Sequence, residues 1–174
     1  EPYAPLATAL LYGIRSDTQD FGRKATQADI DAFDVLYPRA NKRMLGAIQR
    51  GQVPLAYFRM LATALANARR CGRCIFSGLG AVDNADMVAE VADLFLRYEE
   101  ADVSLCWAYV DGQAILSVRT LGTDPPADEL MREVVGEDGS GGGHPRMAGG
   151  RMEPDGDSAA ARQRLDTKIR RRWV

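Results

Sequence analysis

The sequence predicts an α/β protein, an α+β mixed sheet flanked by helices, with an N-terminal helical segment. The first third contains helical patterns only. From Cys74 onward, short apolar runs alternate with amphipathic helical patterns. Asp111-Gly112 separates two strand-like runs, which is a strong hairpin signal. The predicted order from Cys74 is β-α-β-β-α-(Gly loop)-β-α, which is typical of a mixed sheet covered by helices.

Four helices are predicted before the sheet. Pro5 to Ile14 begins with proline and contains good helix formers, and a polar loop, RSDTQDFG, follows it. Thr26 is a predicted N-cap of a helix that stops at Pro38. A short helix ends at Gly51, and a longer apolar helix begins at Pro54 and continues to Arg70.

The predicted sheet elements follow in order. Cys74 to Leu79 is a short apolar strand, and NADMVAEVADLFLRYEE is an amphipathic helix. DVSLCWAYV and AILSVRTLG are the hairpin strands. PADELMREVVG is a helix that ends at Gly136, and GRMEP is a short strand. The closing helix starts at a cap, Asp157 or Ser158.

Composition excludes several classes of protein. The chain has 174 residues, 46% hydrophobic residues and a net charge of −2, so general disorder and a global basic field for duplex DNA are not expected. Apolar runs are too short for a membrane span, and no signal peptide is recognised. Three cysteines, an odd number, favour a reducing compartment, so a cytoplasmic location is expected. The N-terminus lacks Met and enters a helical pattern at once, which suggests a piece of a longer protein.

Cys71 and Cys74 form a CxxC pair. A zinc site needs further soft ligands at similar spacing, and none follow. A thioredoxin-type site follows a strand and opens a helix, whereas this pair precedes a strand. We therefore predict that these are buried cysteines without a chemical role.

The segment GSGGGHPRMAGG surrounds the single histidine, His144. Glycine is costly to order, so the run indicates either a flexible linker or a backbone that approaches an anion closely. Arg146 and Arg119 supply planar guanidinium groups suited to phosphate. On these residues alone, a phosphate or nucleotide site and a flexible loop both stay open. Asp17 and Asp20 are either solvated loop carboxylates or ligands of a hard cation, and the basic tail Lys168 to Arg172 is predicted to be a solvated helix end.

GGGHPRMAGG resembles the GGGHPxAAG signature of the DHH-associated C-terminal domain. AILSVRT is similar to the strand that precedes this signature, and ATALLYGIRSDTQDF resembles the last motif of the DHH phosphoesterase domain. The likeness covers nearly the whole chain in the family's motif order. Met147 departs from the signature, and the DxD and DHH motifs are missing.

The resemblance implies a division into residues 1–22, the end of a DHH catalytic domain, 23–69, a helical linker, and 70–174, a substrate-binding domain. It implies that Asp17 is a metal ligand, in parents that use manganese or magnesium to hydrolyse phosphate esters. It also implies that Arg119, Gly142, Gly143 and His144 bind substrate, with a weaker role for Arg146. No metal is expected to bind tightly to this fragment, and no catalytic residue is expected within it.

The predicted function is therefore the substrate-binding part of a metal-dependent phosphoesterase. Its substrates would be short oligoribonucleotides, 3′,5′-bisphosphonucleosides or cyclic dinucleotides. The predicted partners are a nucleotide or short single-stranded nucleic acid and an N-terminal DHH domain. Monomer and homodimer both stay open, and no membrane partner is expected. The alternative is a non-catalytic nucleic-acid-binding module.

Overall fold

The computed structural model describes residues 3–22, 24–156 and 158–173, and it confirms the predicted mixed α/β class. The helices are α1 (Ala4–Asp17), α2 (Gln27–Leu36), α3 (Lys42–Gln49), α4 (Leu55–Asn67), α5 (Asp86–Phe95), α6 (Ala127–Val135) and α7 (Ala159–Trp173). The strands are β1 (Arg69–Cys71), β2 (Cys74–Ala81), β3 (Val103–Val110), β4 (Gln113–Thr120), β5 (Gly139–His144) and β6 (Met147–Met152). The chain divides into two compact units, Glu1–Val53 and Pro54–Val174.

The N-terminal unit is a small helical cluster. Among its described residues, the buried apolar core consists of Ala7, Leu11, Leu36, Ala40 and Leu45. Thr26 caps α2 as predicted, because its hydroxyl accepts from the Asp29 N–H while the Asp29 carboxylate accepts from the Thr26 N–H. The buried Thr8 hydroxyl donates to the Ala4 carbonyl at 2.6 Å and accepts from the Asn41 N–H at 2.8 Å, which ties α1 to the start of α3.

The C-terminal unit is built on one six-stranded sheet. The strand order is β1-β2-β3-β4-β6-β5, and among these described strands only the β2–β3 pair is parallel. Helix α5 makes the crossover between those two strands, as a parallel pair requires. The predicted β3–β4 hairpin is confirmed, and Asp111 and Gly112 both have positive φ angles, as a tight hairpin turn demands.

Helices cover both faces of the sheet. One face packs on α6 and α7 around fully buried Trp107 and Met131, and the other packs on α4 and α5 around Val91 and Cys106. Trp107 Nε1 and the Tyr109 hydroxyl both donate to Asp166 of α7, at 2.7 and 2.8 Å, so two partly buried donors are satisfied by one carboxylate. This burial, together with the bond to Asp166, raises the pKa of Tyr109.

Several predicted element limits were wrong. Helix α1 continues to Asp17, so part of the predicted polar loop is helical. The predicted α4 reached Arg70, but residues Arg69–Cys71 form the short strand β1, which pairs with β2. The predicted glycine loop is strand β5, paired along its length with β6. Ser158 accepts from the Ala161 N–H at 3.1 Å, in agreement with a cap there, and Asp157 lies outside the described residues.

The basic tail is only partly a solvated helix end. Arg172 Nη1 donates to the carbonyls of Val134 and Val135, the last residues of α6, at 3.0 and 2.8 Å. Lys168 and Arg172 both pair with Asp138, and these two cations lower the pKa of that carboxyl group. Among the described residues, no helix is both long and apolar enough to cross a membrane.

Candidate functional site

The glycine-rich segment contains β5, which is one of the two edge strands of the sheet. Strand β5 pairs with β6 in register, so that His144 lies opposite Met147, Gly142 opposite Gly149 and Ser140 opposite Arg151. Every residue of β5 is exposed. Apart from His144, the strand therefore presents backbone and very small side chains, where most strands present a layer of bulky ones.

A cavity of about 390 Å³ lies on the α5 side of this edge. Its walls are the start of α5 and the strands β4, β5 and β6. It brings together three of the residues predicted from sequence to bind substrate: Arg119, Gly143 and His144. Arg119 lies opposite Met147 on β6, which in turn lies opposite His144, so these side chains share one cross-strand row.

Arg119 is held in place by its neighbours. Its side chain is 16% exposed, its Nε donates to Asp93 at 3.1 Å, and its Nη1 donates to the Val118 carbonyl at 3.1 Å. Nη2 has no hydrogen bond within the described part of the chain. The guanidinium therefore has a fixed position at the cavity and keeps donors for an anion.

A negatively charged side chain also lines the cavity. Asp86, in the first turn of α5, lines the same cavity. The helix N-terminus favours an anion through its dipole, but the N–H groups of Asp86 and Met87 already donate to Asn84. An anion in this cavity would therefore depend on Arg119, His144 and the glycine backbone more than on α5.

Close packing requires glycine at some positions of this hairpin and not at others. A Cβ atom on Gly143 would lie 2.3 Å from the Met147 carbonyl oxygen, and one on Gly150 would lie 2.4 Å from the Met131 sulfur. These positions are glycine because the hairpin and α6 pack closely. Gly142 has nothing within 4 Å of such a Cβ, and Gly149 has only the Leu116 carbonyl oxygen at 3.9 Å. Packing does not explain Gly142 and Gly149, which lie side by side on the α5 side of β5 and β6. The exposed surface of these two strands on that side is called the open face below.

Ser117 is a residue that the sequence did not single out. It lies on β4 opposite Gly149 and lines the cavity, yet its buried hydroxyl has no hydrogen-bond partner among the described residues. An unsatisfied buried hydroxyl is unfavourable, and a polar ligand atom could relieve this cost if the side chain turned toward it. The sequence could have indicated Ser117, because it lies two residues before Arg119 on the same strand, and side chains two residues apart in a strand point to the same face.

The other predicted site residues lie elsewhere. Gly142 is in the next cross-strand row of the same open face. Arg146 lies in the turn between β5 and β6, exposed, and does not line the cavity. Asp17 is exposed at the end of α1, in the N-terminal unit. The described residues contain no group of three or more His, Cys, Asp or Glu side chains that could hold a metal ion.

The prediction of buried cysteines was wrong for the CxxC pair. Cys71 is exposed and Cys74 is half-buried, because the pair flanks the tight turn between β1 and β2, where Gly72 has a positive φ. Cys106 alone is buried. Burial raises the pKa of the Cys74 thiol, and neighbouring Cys71 adds to the effect, so Cys74 is a poor nucleophile at neutral pH.

Comparison with known proteins identifies the fold family. The model of the DHHA1 domain matches residues 72–171, which include the whole sheet from β2 onward and the glycine-rich strand. The chain belongs to the DHHA1 domain family. The DHH-associated C-terminal domain named from the sequence is therefore confirmed.

The DHHA1 chain is similar to longer proteins. It is 28% identical over 176 residues to an uncharacterized protein of Methanocaldococcus jannaschii, a match that covers 98% of this chain and 36% of the relative. An exopolyphosphatase-related protein from Bacteroides fragilis has a similar structure, with a TM-score of 0.67 and 15% identity over 95% of this chain and 49% of that one. RecJ from Thermus thermophilus, solved with Mn²⁺, gives a TM-score of 0.42 and 18% identity over 95% of this chain and 24% of RecJ. The chain thus spans about a third to a half of the first two proteins.

Proposed function

We propose that this DHHA1 chain is the substrate-binding part of a metal-dependent phosphoesterase that acts on nucleotides or short oligonucleotides. Arg119 and His144 would bind a substrate phosphate, and Gly142 and Gly143 would let the backbone approach it. The observation that supports this most is the cavity that Arg119, Gly143 and His144 share on the open face of the sheet. Short oligoribonucleotides, 3′,5′-bisphosphonucleosides and cyclic dinucleotides are the proposed substrates.

The described residues alone do not fit a catalytic metal. Asp17 is one exposed carboxylate, and stable binding of Mn²⁺ or Mg²⁺ needs several oxygen ligands around the ion. We therefore propose that an N-terminal DHH domain supplies the remaining ligands and the catalytic residues, and that Asp17 contributes to them. A cytoplasmic location and a homodimer remain compatible with this proposal.

Calorimetric titration tests the binding role. Adenosine 3′,5′-bisphosphate and a 5′-phosphorylated dinucleotide would be titrated into the wild type and into His144→Ala and Arg119→Lys variants. We expect each variant to bind about 5- to 100-fold more weakly, because a charge-assisted hydrogen bond or the planar guanidinium fork is lost. His144 is exposed, so His144→Ala should keep the melting temperature of the wild type.

Normal binding by His144→Ala together with a much lower melting temperature would make His144 a packing residue and contradict the proposal. The same samples, supplied with Mn²⁺, should not hydrolyse the dinucleotide at rates typical of an enzyme. Binding without hydrolysis by the isolated chain also fits the alternative, a non-catalytic nucleic-acid-binding module. The two are separated by activity after an N-terminal DHH domain is restored.

A further inference from the structure

The open face of the sheet continues beyond the proposed phosphate site. A second cavity, of about 570 Å³, is lined by Ser140 and Arg151, and it shares Gly149 and Ile115 with the first. We propose that Arg151 and Ser140 form a second phosphate subsite, and that the ligand of this face is a single-stranded oligonucleotide of three or more nucleotides. This inference rests on the proposed function and narrows its substrate class.

The strand register defines three parallel rows on this face. The first row is Arg119, Met147 and His144. The middle row is Ser117, Gly149 and Gly142, and the third is Ile115, Arg151 and Ser140. Because side chains two residues apart in a strand point to the same face, the three rows share one surface.

The spacing of the rows selects the ligand. Met147 and Arg151 are four residues apart on β6, which separates the first and third rows by about 13 Å. A single phosphate or a pyrophosphate is too short to bridge them. The phosphates of an extended oligonucleotide repeat along its backbone, so a first and a third phosphate can reach both rows.

The middle row leaves room for the connecting nucleotide. Gly149 and Gly142 form a floor without side chains, and packing does not require glycine at either position. The two glycines thus form a surface without side chains between the two arginines, which leaves room for a polar chain that crosses all three rows. The Ser117 hydroxyl, which has no partner among the described residues, lies beside this surface.

The Arg151 side chain is available to bind a phosphate group. Its side chain makes no hydrogen bond or ion pair with any described residue, and it is exposed. Some other arginines of the C-terminal unit are already engaged in ion pairs, such as Arg73 with Asp102 and Arg132 with Asp128. Arginine binds phosphate oxygens through two parallel N–H groups, and the Ser140 hydroxyl, also without a partner in the described chain, can add a third donor.

The experiment compares ligands of two lengths. AMP and the trinucleotide pApApA would be titrated into the wild type, Arg151→Gln and Arg97→Gln, the last being a matched loss of an exposed arginine with no described partner. Arg151→Gln should weaken pApApA binding about tenfold and leave AMP binding unchanged. Its slope of log K against log salt for pApApA should be shallower by about 0.7, the value for one phosphate contact in a single strand. Arg97→Gln should match the wild type for both ligands.

Three outcomes would overturn the inference. Equal binding of pApApA by Arg151→Gln and wild type rejects the second subsite and leaves the proposed function intact. An equal loss for AMP and pApApA places Arg151 in the first phosphate site instead. If the wild type binds neither ligand at millimolar concentration, the proposed function fails, and the inference fails with it.

Discussion

Replacement of Gly142 by alanine should weaken ligand binding without lowering stability. Gly142→Ala adds a methyl group where nothing lies within 4 Å, and its backbone φ is accessible to alanine, so the melting temperature should stay the same or rise slightly. The methyl group would nevertheless lie in the middle row of the open face, so pApApA binding should fall at least threefold. Calorimetric titration and a thermal melt measure both quantities.

Gly143→Ala is the contrasting variant. Its Cβ would lie 2.3 Å from the Met147 carbonyl oxygen, so the hairpin must shift and stability should fall by about 1–3 kcal/mol. If Gly142→Ala binds pApApA as well as the wild type does, the bare floor has no role in binding.

The sequence predicts Arg119, His144 and, more weakly, Arg146 as site residues, and the structure places the first two at one cavity that Arg146 does not line. Arg146 is near His144 in sequence, yet it lies in the turn, whereas Arg151 shares a sheet face with His144 through the strand register. Glycine has low strand propensity, so GSGGGH gave no strand signal. Pairing with β6 and packing on α6 determine its conformation, and both are tertiary effects.

At the scale of elements, α7 stabilises the end of α6 through one side chain. Arg172→Met removes the two hydrogen bonds to the Val134 and Val135 carbonyls and should lower the free energy of unfolding by about 1–2 kcal/mol. Arg171→Met, on the exposed side of α7 and without a described partner, is the control and should have little effect. Urea unfolding of both variants measures this. Equal stability of the two would exclude the proposed capping role of Arg172.

Helices α4 and α5 are joined by a bond that depends on pH. The Tyr57 hydroxyl donates to Glu90 at 2.5 Å, and this bond raises the pKa of Tyr57 to about 12. In the unfolded chain the hydroxyl ionises near its ordinary pKa of about 10. The stability from this bond is therefore complete below pH 10 and is lost as the pH rises toward 12.

The matched variant is Tyr57→Phe. Its deficit in unfolding free energy relative to the wild type should be constant from pH 7 to about pH 9 and should shrink above pH 10. Urea titrations at several pH values measure this difference, in which other alkaline titrations cancel. A deficit that is unchanged at pH 11 would show that the bond is not formed in solution.

The element pattern was predictable where local signals were strong. The Asp111-Gly112 turn and the Thr26 cap depend on residues that are close in sequence, and both agree with the structure. Strand β1 was missed because Arg69, Arg70 and Cys71 show no apolar alternation. It forms because the CxxC turn folds it back on β2, and only the paired structure reveals that.

At the scale of the whole molecule, the division between the two units has a testable position. The sequence placed the start of the substrate-binding domain at residue 70, whereas the second compact unit begins at Pro54 and includes α4. Met60 and Ala64 of α4 are buried in the apolar cluster between the helices and the sheet. The buried Ser77 hydroxyl of β2 donates to the Ala64 carbonyl at 2.7 Å. Removal of α4 would expose this apolar surface and leave that hydroxyl without its acceptor.

Limited trypsin digestion distinguishes the two boundaries. Residues 50–54 are exposed and lie outside the helices, so Arg50 should be cut early, while Arg59 and the arginines that begin β1 should be protected by the packing of α4 and β1. We expect a stable fragment that begins at Gly51, identified by mass spectrometry, with a cooperative thermal melt of its own. A fragment that begins at Arg70 or Cys71 as the first stable product would return the boundary to the position expected from sequence. In that case α4 would belong with the N-terminal helices and not with the sheet.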